Sequence, residues 1–517
     1  MPIRPTFYGF EMARTAMSAS QKNIDITGQN IANINTLGYS RQRVALSAIG
    51  AGGINWRHAL HPSEAVGLGV NVDRIARVRD QFLDARFRKE LSDNSRLGIK
   101  LDVLGYVESN IDEFVGESGT LHSIMTSFQN AFQDLNTNNT SEAEFMSMTR
   151  SAAEQLVNTS RVIANRVEQI RHDTYEQLKF VAEEVNRIAQ ALEDINVEIR
   201  NQFLLGAVSN ELLDKRDELV DRLSSYGDVT VIPAIDDYDQ DTGGIHVHFG
   251  NFDPDSPDSS LLVSGTAIYH ATLEIGEPDD EPVRLTWATG DNEGTEFFAN
   301  TGEIFAYYEM LNGIGDVSQN ADVETADFAA KGIPYFTNML NMFISSFAEV
   351  FNELNDDLDL FTANDGSGDI TALNITISED WQRDPAFLIK SMDGMYTETP
   401  GASRNDNILR MINALKEPRD FEDVNGTIYK GSFLEYLGSI NTEMALEVSY
   451  NIRRKDTSDI NLLSVDMYRA SIMDVDSDEE AMNLMRFQKS YNAAIRFMTT
   501  LDEMLDMVVN RLGVVGR

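Results

Sequence analysis

His246 and His248 stand two residues apart in the run HVHF. On a strand, alternate residues share a face, so two imidazoles would lie side by side, as the start of a metal site requires. A zinc centre needs a third protein ligand and groups that orient the imidazoles, and the sequence identifies neither. The pair reads more simply as surface histidines on a half-exposed strand. Asp237, Asp239 and Asp241 occupy the first, third and fifth places of a calcium loop. Thr242 then replaces the turn glycine, and His248 replaces the bidentate glutamate that closes such a loop. DVDSDEEA at 474–481 fails in the same way, with Glu479 and Met485 at those two places. Its residues suit a helix start better: Ser477 and Glu480 have the spacing of a capping box, with Asp478 and Glu479 at the positive end of the helix dipole.

Other chemistry is missing. The chain has 517 residues and no cysteine, which removes disulfides, thiolate metal sites and thiol nucleophiles. A thiol-free chain suits an extracellular setting. No phosphate-binding glycine loop, dinucleotide fingerprint, H-E-x-x-H or G-x-S-x-G elbow occurs. With 83 acidic residues, paired carboxylates carry no information. The expectation is a protein without catalysis, metal or cofactor.

The most unusual stretch is GQNIANINTLGYSRQRV, residues 28–44, with Asn30, Asn33 and Asn35 within six positions. Asparagine bonds to nearby backbone and tolerates left-handed conformations, so it can satisfy amides freed where a helix ends. Gly38 can supply the positive φ of such a stop. Tyr39, Arg41 and Arg43 would then be available to a neighbouring subunit.

The elements that hold this stretch lie at both ends of the chain. Phe10, Ala13, Met17, Ser20, Ile24, Thr27, Ile31 and Ile34 alternate by threes and fours. Leu484, Phe487, Tyr491, Ala494, Met498, Leu501, Leu505, Val508 and Leu512 do the same. Each set predicts a helix with a narrow apolar seam of coiled-coil type. Such seams suit core helices of one bundle. Placed at the chain's extremes, they equally suit helices that pack against neighbouring subunits, and would be mobile in the isolated monomer.

Between the ends, residues 75–225 read as mainly helical. Leu178, Val181, Val185, Ile188, Leu192, Ile195 and Ile199 continue one seam along an extended helix. NELLDKRDELVDRLSSYG follows a turn near Gly206, and its alternating charges read as solvation and pairing within the helix. VTVIPAI, GIHVHF, SLLVSGTAIYHATLEIG and EPVRLTWATG are short strands between turns. Helix returns in YFTNMLNMFISSFAEVFNELNDDL, and another runs near Leu434 to Arg454. The fold class is therefore multidomain and mainly α with a β-rich insertion, its helical layers discontinuous and its terminal helices coiled-coil-like. The expected division is 1–70 with 475–517 as a terminal helical assembly domain. Residues 71–228 with 316–474 form a helical domain holding a small mixed segment near 360–400. Residues 229–315 form an acidic β-rich outer insertion, looped out of the helical layers.

Charge follows this division. The net charge is −41, yet residues 1–100 hold 14 basic and 8 acidic residues. Residues 231–330 hold 21 acidic residues and one basic residue, Arg284. An acidic surface of this kind disfavours nucleic acid, whose phosphates need clustered Lys and Arg. No apolar run reaches the roughly 18 residues of a membrane span, and MPIRPTFYGFEM has no apolar core of a Sec-type signal.

NIANINTLGYSRQRV resembles the segment shared by bacterial flagellar axial proteins, N-N-I-A-N-x-N-T-x-G-[YF]. Asn30, Ile31, Ala32, Asn33, Asn35, Thr36, Gly38 and Tyr39 match it. The continuation Ser40, Arg41, Gln42, the segment LLDKRDELVDRLS at 212–224 and the ending DEEAMNLMRFQKSYNAAIRFMTTLDEMLDMVVNRLG are similar to the hook-associated protein 1 family. The matches cover 7–50, 205–232 and 440–513 in order, and 231–400 agrees in position and type only. Leu37 stands where that family often has proline, and Pro2 and Pro5 precede the first helix.

The resemblance implies a structural subunit that joins hook to filament, with no enzyme activity. Asn30, Ile31, Asn33, Asn35, Gly38, Tyr39 and Arg41 would form the assembly motif. Phe10, Met17, Ile24 and Ile31 would make the N-terminal seam, and Leu484, Phe487, Tyr491, Met498, Leu501, Leu505, Val508 and Leu512 the C-terminal one, paired in the inner tube. Implied partners are further copies of the chain, the hook protein, hook-associated protein 3 and an export chaperone on the C-terminal helix, without membrane insertion. The implied location is the extracellular hook–filament junction, reached without a cleaved signal. A hook or distal-rod protein is the nearest alternative, and a surface adhesin or metal-binding protein a more distant one.

Overall fold

The computed structural model describes residues 7–49, 69–115, 120–137, 142–206, 208–235, 238–277, 282–289, 293–315, 329–356, 358–391, 405–423 and 426–511. The chain opens with helix α1 (Phe7–Ala32) and the antiparallel pair β1 (Gln42–Ala48) and β2 (Val70–Arg77). Four helices follow: α2 (Gln81–Val115), α3 (Thr120–Thr137), α4 (Glu142–Leu204) and α5 (Asn210–Tyr226). At 63 residues α4 is the longest, about 95 Å at the usual rise per residue. All seven residues of its seam, from Leu178 to Ile199, are buried. Gly206, in the left-handed region at φ 79°, makes the turn into α5.

The β-rich part contains β3 (Val229–Ile235), β4 (Asp241–Phe249) and β5 (Leu261–Val263) in one antiparallel sheet. A separate pair, β6 (Thr272–Ile275) and β7 (Leu285–Thr289), follows. These sheets lie against α4 and are not looped away from it. Asn186 Nδ2 donates to the Leu273 carbonyl at 2.9 Å while its Oδ1 accepts from the Leu273 amide at 2.8 Å. Asn196 Nδ2 donates to the Ile245 carbonyl at 2.9 Å. Val247, Phe249, Leu273 and Trp287 are buried in one continuous apolar core with the α4 seam.

Helix then returns as α6 (Gly302–Asn312) and α7 (Ile333–Leu354). A mixed segment holds β8 (Phe361–Ala363), β9 (Ile375–Ile377) and α8 (Glu379–Arg383). It is followed by α9 (Asp406–Ala414) and the pair β10 (Arg419–Asp423) and β11 (Gly426–Gly431). Helix α10 (Phe433–Met473) runs 19 residues beyond the expected Arg454, and α11 (Ser477–Asp506) runs on into a π-helical turn over Met507–Arg511. Ser432 and Glu435 make a reciprocal capping box at the start of α10. Early and late segments share one aromatic core. Phe128 of α3 lies 5.5 Å from Phe347 of α7, Phe347 lies 5.2 Å from Phe361, and Phe343 lies 5.8 Å from Phe433 of α10. The helical layers are thus assembled from segments hundreds of residues apart. The fold is mainly α with a strand-rich insertion. The large apolar core includes no residue of α1 or α11. Those two helices pack on each other.

Candidate functional site

The asparagine-rich stretch closes α1 with its own side chains. Asn33 Nδ2 donates to the Gln29 carbonyl at 2.9 Å, and the Thr36 hydroxyl donates to Asn33 Oδ1 at 3.3 Å. Gly38 sits at φ 75°, and a Cβ there would lie 3.5 Å from Glu218 of α5. Asn30 is 1% exposed and is saturated. Its Nδ2 donates to the Gln42 carbonyl at 3.0 Å and to Glu480 Oε2 at 3.2 Å. Its Oδ1 accepts from the Gln42 amide at 3.0 Å and from the Tyr39 hydroxyl at 2.9 Å. Burial, together with the charges of Asp214, Glu211 and Glu480, pushes the Tyr39 phenol up to about 12.

Arg41 leaves this turn toward the start of α11. Its Nε donates to Glu480 at 2.8 Å and its outer nitrogens to Glu479 at 2.7 and 3.1 Å. The hydrogen bonds to Glu479 raise its pKa, against burial and with the help of the Glu480 charge. The Arg41 amide donates to the Met473 carbonyl at 2.8 Å. Tyr39 and Arg41 are therefore spent inside the subunit, and Arg43 remains exposed on β1. The cap of α11 also differs from expectation. Asp476 accepts from the amides of Asp478 and Glu479, and Glu480 is turned to Asn30 and Arg41, not back to Ser477. A half-buried cation and a buried amide attract that carboxylate more strongly than one exposed backbone amide.

The same turn is tied to α5, since the Ser40 amide donates to Asp214 at 3.2 Å. Here the structure departs most from the sequence reading. The charges of α5 are not merely a solvated face. Asp214, Asp217 and Asp221 recur at helical spacing and enter a largely buried ion-pair joint. Arg77 of β2 bonds Asp214 and Asp217, both at 2.8 Å. Arg79 bonds Asp84 and Asp217, both at 3.0 Å. Arg88 of α2 donates to Asp221 at 2.6 Å, and Arg469 of α10 bonds Asp84 at 2.7 Å and also Asp221. Burial alone would raise the Asp217 carboxyl, but Arg79, Arg77, Arg216 and Arg88 outweigh it and hold the group below its ordinary value. Burial disfavours the Arg79 charge as well, yet Asp217, Asp84 and Asp221 raise its pKa. For Arg216, burial prevails over Asp217 and lowers it. The carboxylates spaced three and four apart on one face of α5, with Arg77 and Arg79 two residues apart in RIARVR, were the available signal for this joint.

The terminal seams face each other only in part. Leu484, Phe487, Tyr491, Met498, Leu501 and Leu505 lie half-buried on one line of α11, with Ala494 buried among them. On α1 the buried line is Ala13, Ser20, Asn23, Thr27 and Asn30, with Ala19 and Ile26 beside it. Phe10, Met17 and Ile24 are half-buried, whereas Ile31 at 37% and Ile34 at 39% are exposed, against the expected seam. Small and polar residues let the helices approach closely: a Cβ at Gly9 would come within 2.8 Å of Leu501. Asn30, not Ile31, turns inward because Gln42 and Glu480 supply the partners it needs. Asn35 and Val508 are exposed, and Leu512 lies outside the described residues.

The residues considered for metal chemistry are occupied otherwise. His248 is buried, not at the surface, with Nδ1 3.5 Å from the Ser260 hydroxyl, and His246 Nδ1 accepts from the Gly265 amide at 3.4 Å. Burial lowers both pKa values. Asp241 accepts from the Gly243 amide at 2.8 Å, and Thr242 donates to the Ala234 carbonyl at 2.9 Å, so both stabilise the β3–β4 turn. Asp237 lies outside the described residues. Among the described residues no group of three or more His, Asp or Glu is placed to hold a metal, and no helix is long and apolar enough to cross a membrane.

Three parts of the chain match known families. Residues 109–367 match the flagellar hook-associated protein FlgK helical domain. Residues 10–39 match the flagella basal body rod protein family, and 471–512 the C-terminal family of flagellar basal body rod FlgEFG proteins. The chain is 28% identical over 529 residues to flagellar hook-associated protein 1 of Bacillus subtilis (strain 168), covering 99% of each. It is 22% identical over 581 residues to flagellar hook-associated protein 1 of Salmonella typhimurium, covering 96% of this chain and 98% of that one. Among solved structures, the flagellar hook junction protein FlgK from Burkholderia pseudomallei is similar at 16% identity and a TM-score of 0.41, over 55% of this chain and 45% of that one.

Proposed function

Because this chain belongs to the FlgK family of flagellar hook-associated proteins, we infer that it is a non-catalytic structural subunit of the flagellum at the hook–filament junction. It assembles with copies of itself and with hook components. One observation carries the reading. Asn30, Asp214 and Glu480, 450 residues apart at the extremes, meet around one turn. Both rod-type ends of the chain are thereby fixed to the helical body in a single orientation.

This geometry supports finer roles. The α1–α11 pair is the element offered to the inner tube, because α11 buries only Glu480 and Ala494 and keeps Met482, Met485, Phe497 and Met504 exposed. The hook protein lies on one side and hook-associated protein 3 on the other. An export chaperone covers the apolar face of α11 before assembly, and export proceeds without a cleaved signal. The terminal pair acts as one layer of the junction, and the helical body with the acidic β-rich part packed on it as another. The test uses a strain lacking the protein, complemented with the Leu501→Asp/Leu505→Asp variant. Hooks should stay bare, with filament subunits lost to the medium. Normal filament attachment would overturn the assembly role of the terminal pair.

A further inference from the structure

We propose that the exposed face of α10 around Arg453 and Arg454 receives the acidic loop around Asp253 and Asp255 of a second copy of this chain. The proposal rests on the assembly role above and adds a seam in the body of the subunit, distinct from the terminal helices.

The two arginines are the first reason. In a chain with 42 basic residues against 83 acidic ones, cations are scarce. Arg41, Arg77, Arg79, Arg88, Arg96 and Arg469 are all held by carboxylates. Arg453 and Arg454 are exposed, and among the described residues neither has an ion pair. Arg453 donates to the Ser449 hydroxyl at 3.0 Å, and the Arg454 guanidinium lies 5.6 Å from the centre of the Tyr450 ring. They border an open groove of about 480 Å³; Glu90 and Asp93 make its α2 wall acidic, so the cationic surface is the α10 side alone.

The surface beside the groove is the second reason. Leu446 and Tyr450 precede the arginines on α10, and Ile460, Leu463 and Met467 follow them, each more than half exposed. Their spacing keeps them near one side of a continuous helix. Apolar residues around a cationic centre supply burial on contact, and the charges set register.

Charge complementarity selects the occupant. Copies carrying −41 repel one another, so a seam between their bodies gains most where one presents cations to the other. The loop NFDPDSPDSS presents Asp253 and Asp255 to solvent, and the only basic residue between 231 and 330 is Arg284. A basic patch on one copy matched to a different, acidic patch on the next is a heterologous contact. Such contacts repeat into a ring or helix and do not close as a dimer.

The absence of native cysteine makes a clean test possible. Arg454→Cys and Asp255→Cys chains are co-expressed in a strain lacking the native protein, and isolated hooks are treated with a bismaleimide. A covalent dimer containing one of each chain is expected. In parallel, Arg453→Glu/Arg454→Glu should lower the fraction of hooks bearing filaments about tenfold or more. Adding Asp253→Arg/Asp255→Arg should restore that fraction. Unchanged filament attachment by the Arg453→Glu/Arg454→Glu variant would overturn the seam, while the Leu501→Asp/Leu505→Asp result would still judge the assembly role separately. Cross-linking only between identical chains, or to a different protein, would equally overturn it. Should the glutamate variant misfold, the cross-link alone decides.

Discussion

At the scale of single residues, Asn30 and Asp217 are both polar and both largely enclosed, so each depends on its partners. Asn30 satisfies both backbone groups of Gln42. Asn30→Ala leaves those groups unpaired, at a cost of about 1–3 kcal/mol. The Gln42 amide should then exchange with deuterium faster, while exchange within the α4 seam stays unchanged. Gly38→Val forces a β-branched residue to φ 75°, where even an unbranched residue costs about 1–2 kcal/mol. The penalty falls on the exit from α1, outside the large core. Swimming should fail while the monomer's Tm moves by only a few degrees. Asp217 is held below the ordinary carboxylate value by its arginines. Its folded pKa is thus lower than its unfolded one, so its contribution is present above about pH 4 and is lost as pH falls further. Asp217→Asn removes that dependence along with the pairing. Melting curves between pH 7 and pH 3 should show a smaller loss of Tm for the variant than for the native chain. Equal slopes would show that this carboxylate does not set the acid response.

At the scale of elements, α1 and α11 differ from the rest in what they bury. The body helices contribute to one continuous apolar core, whereas the only buried residues of α11 are Glu480 and Ala494. A helix pair with so little enclosed surface gains little to offset the entropy of ordering it. Limited proteolysis of the monomer should therefore trim both ends first and leave a stable fragment containing α2 to α10. Leu501→Asp/Leu505→Asp should leave the melting of that body almost unchanged. If the ends resist protease and the double variant unfolds everything, the pair is part of the core. The joint of Asp84, Asp214, Asp217 and Asp221 with its arginines marks where the two regimes meet. Removing one partner of a buried pair costs about 3–5 kcal/mol, so Arg469→Ala should destabilise the body far more than changes on α11.

At the scale of the whole molecule, charge and motif say the same thing about chemistry. The calcium-like loop spends Asp241 and Thr242 on its own turn. Sub-millimolar calcium should shift Tm by less than about a degree, and a shift of several degrees would revive a metal role. The uneven charge leaves subunits repelling through their acidic parts and free to associate where cations are exposed. Raising salt should therefore weaken any contact made through Arg453 and Arg454 more than contacts made through the apolar faces of α11.

Local signals were enough for what depends on periodicity and turn chemistry. The 3/4 spacing from Leu178 to Ile199 dictates a helix with one buried side, and the asparagines with Gly38 dictate a helix stop, because both effects act within a few residues. The likeness of the two ends and of 212–224 to flagellar axial proteins was equally legible, since it lies in contiguous motifs. Tertiary structure alone decided which polar groups become partners. Glu480 looked like a capping residue, yet a buried Asn30 and Arg41 claim it. Ile31 looked like a seam residue, yet Asn30 takes the inward position. The alternating charges of α5 looked like a solvated face, yet Arg77, Arg79, Arg88 and Arg469 arrive from three distant segments to enclose them. A carboxylate on a helix has the same local spacing whether it meets water or an arginine. Only the approach of segments more than a hundred residues away determines which it meets.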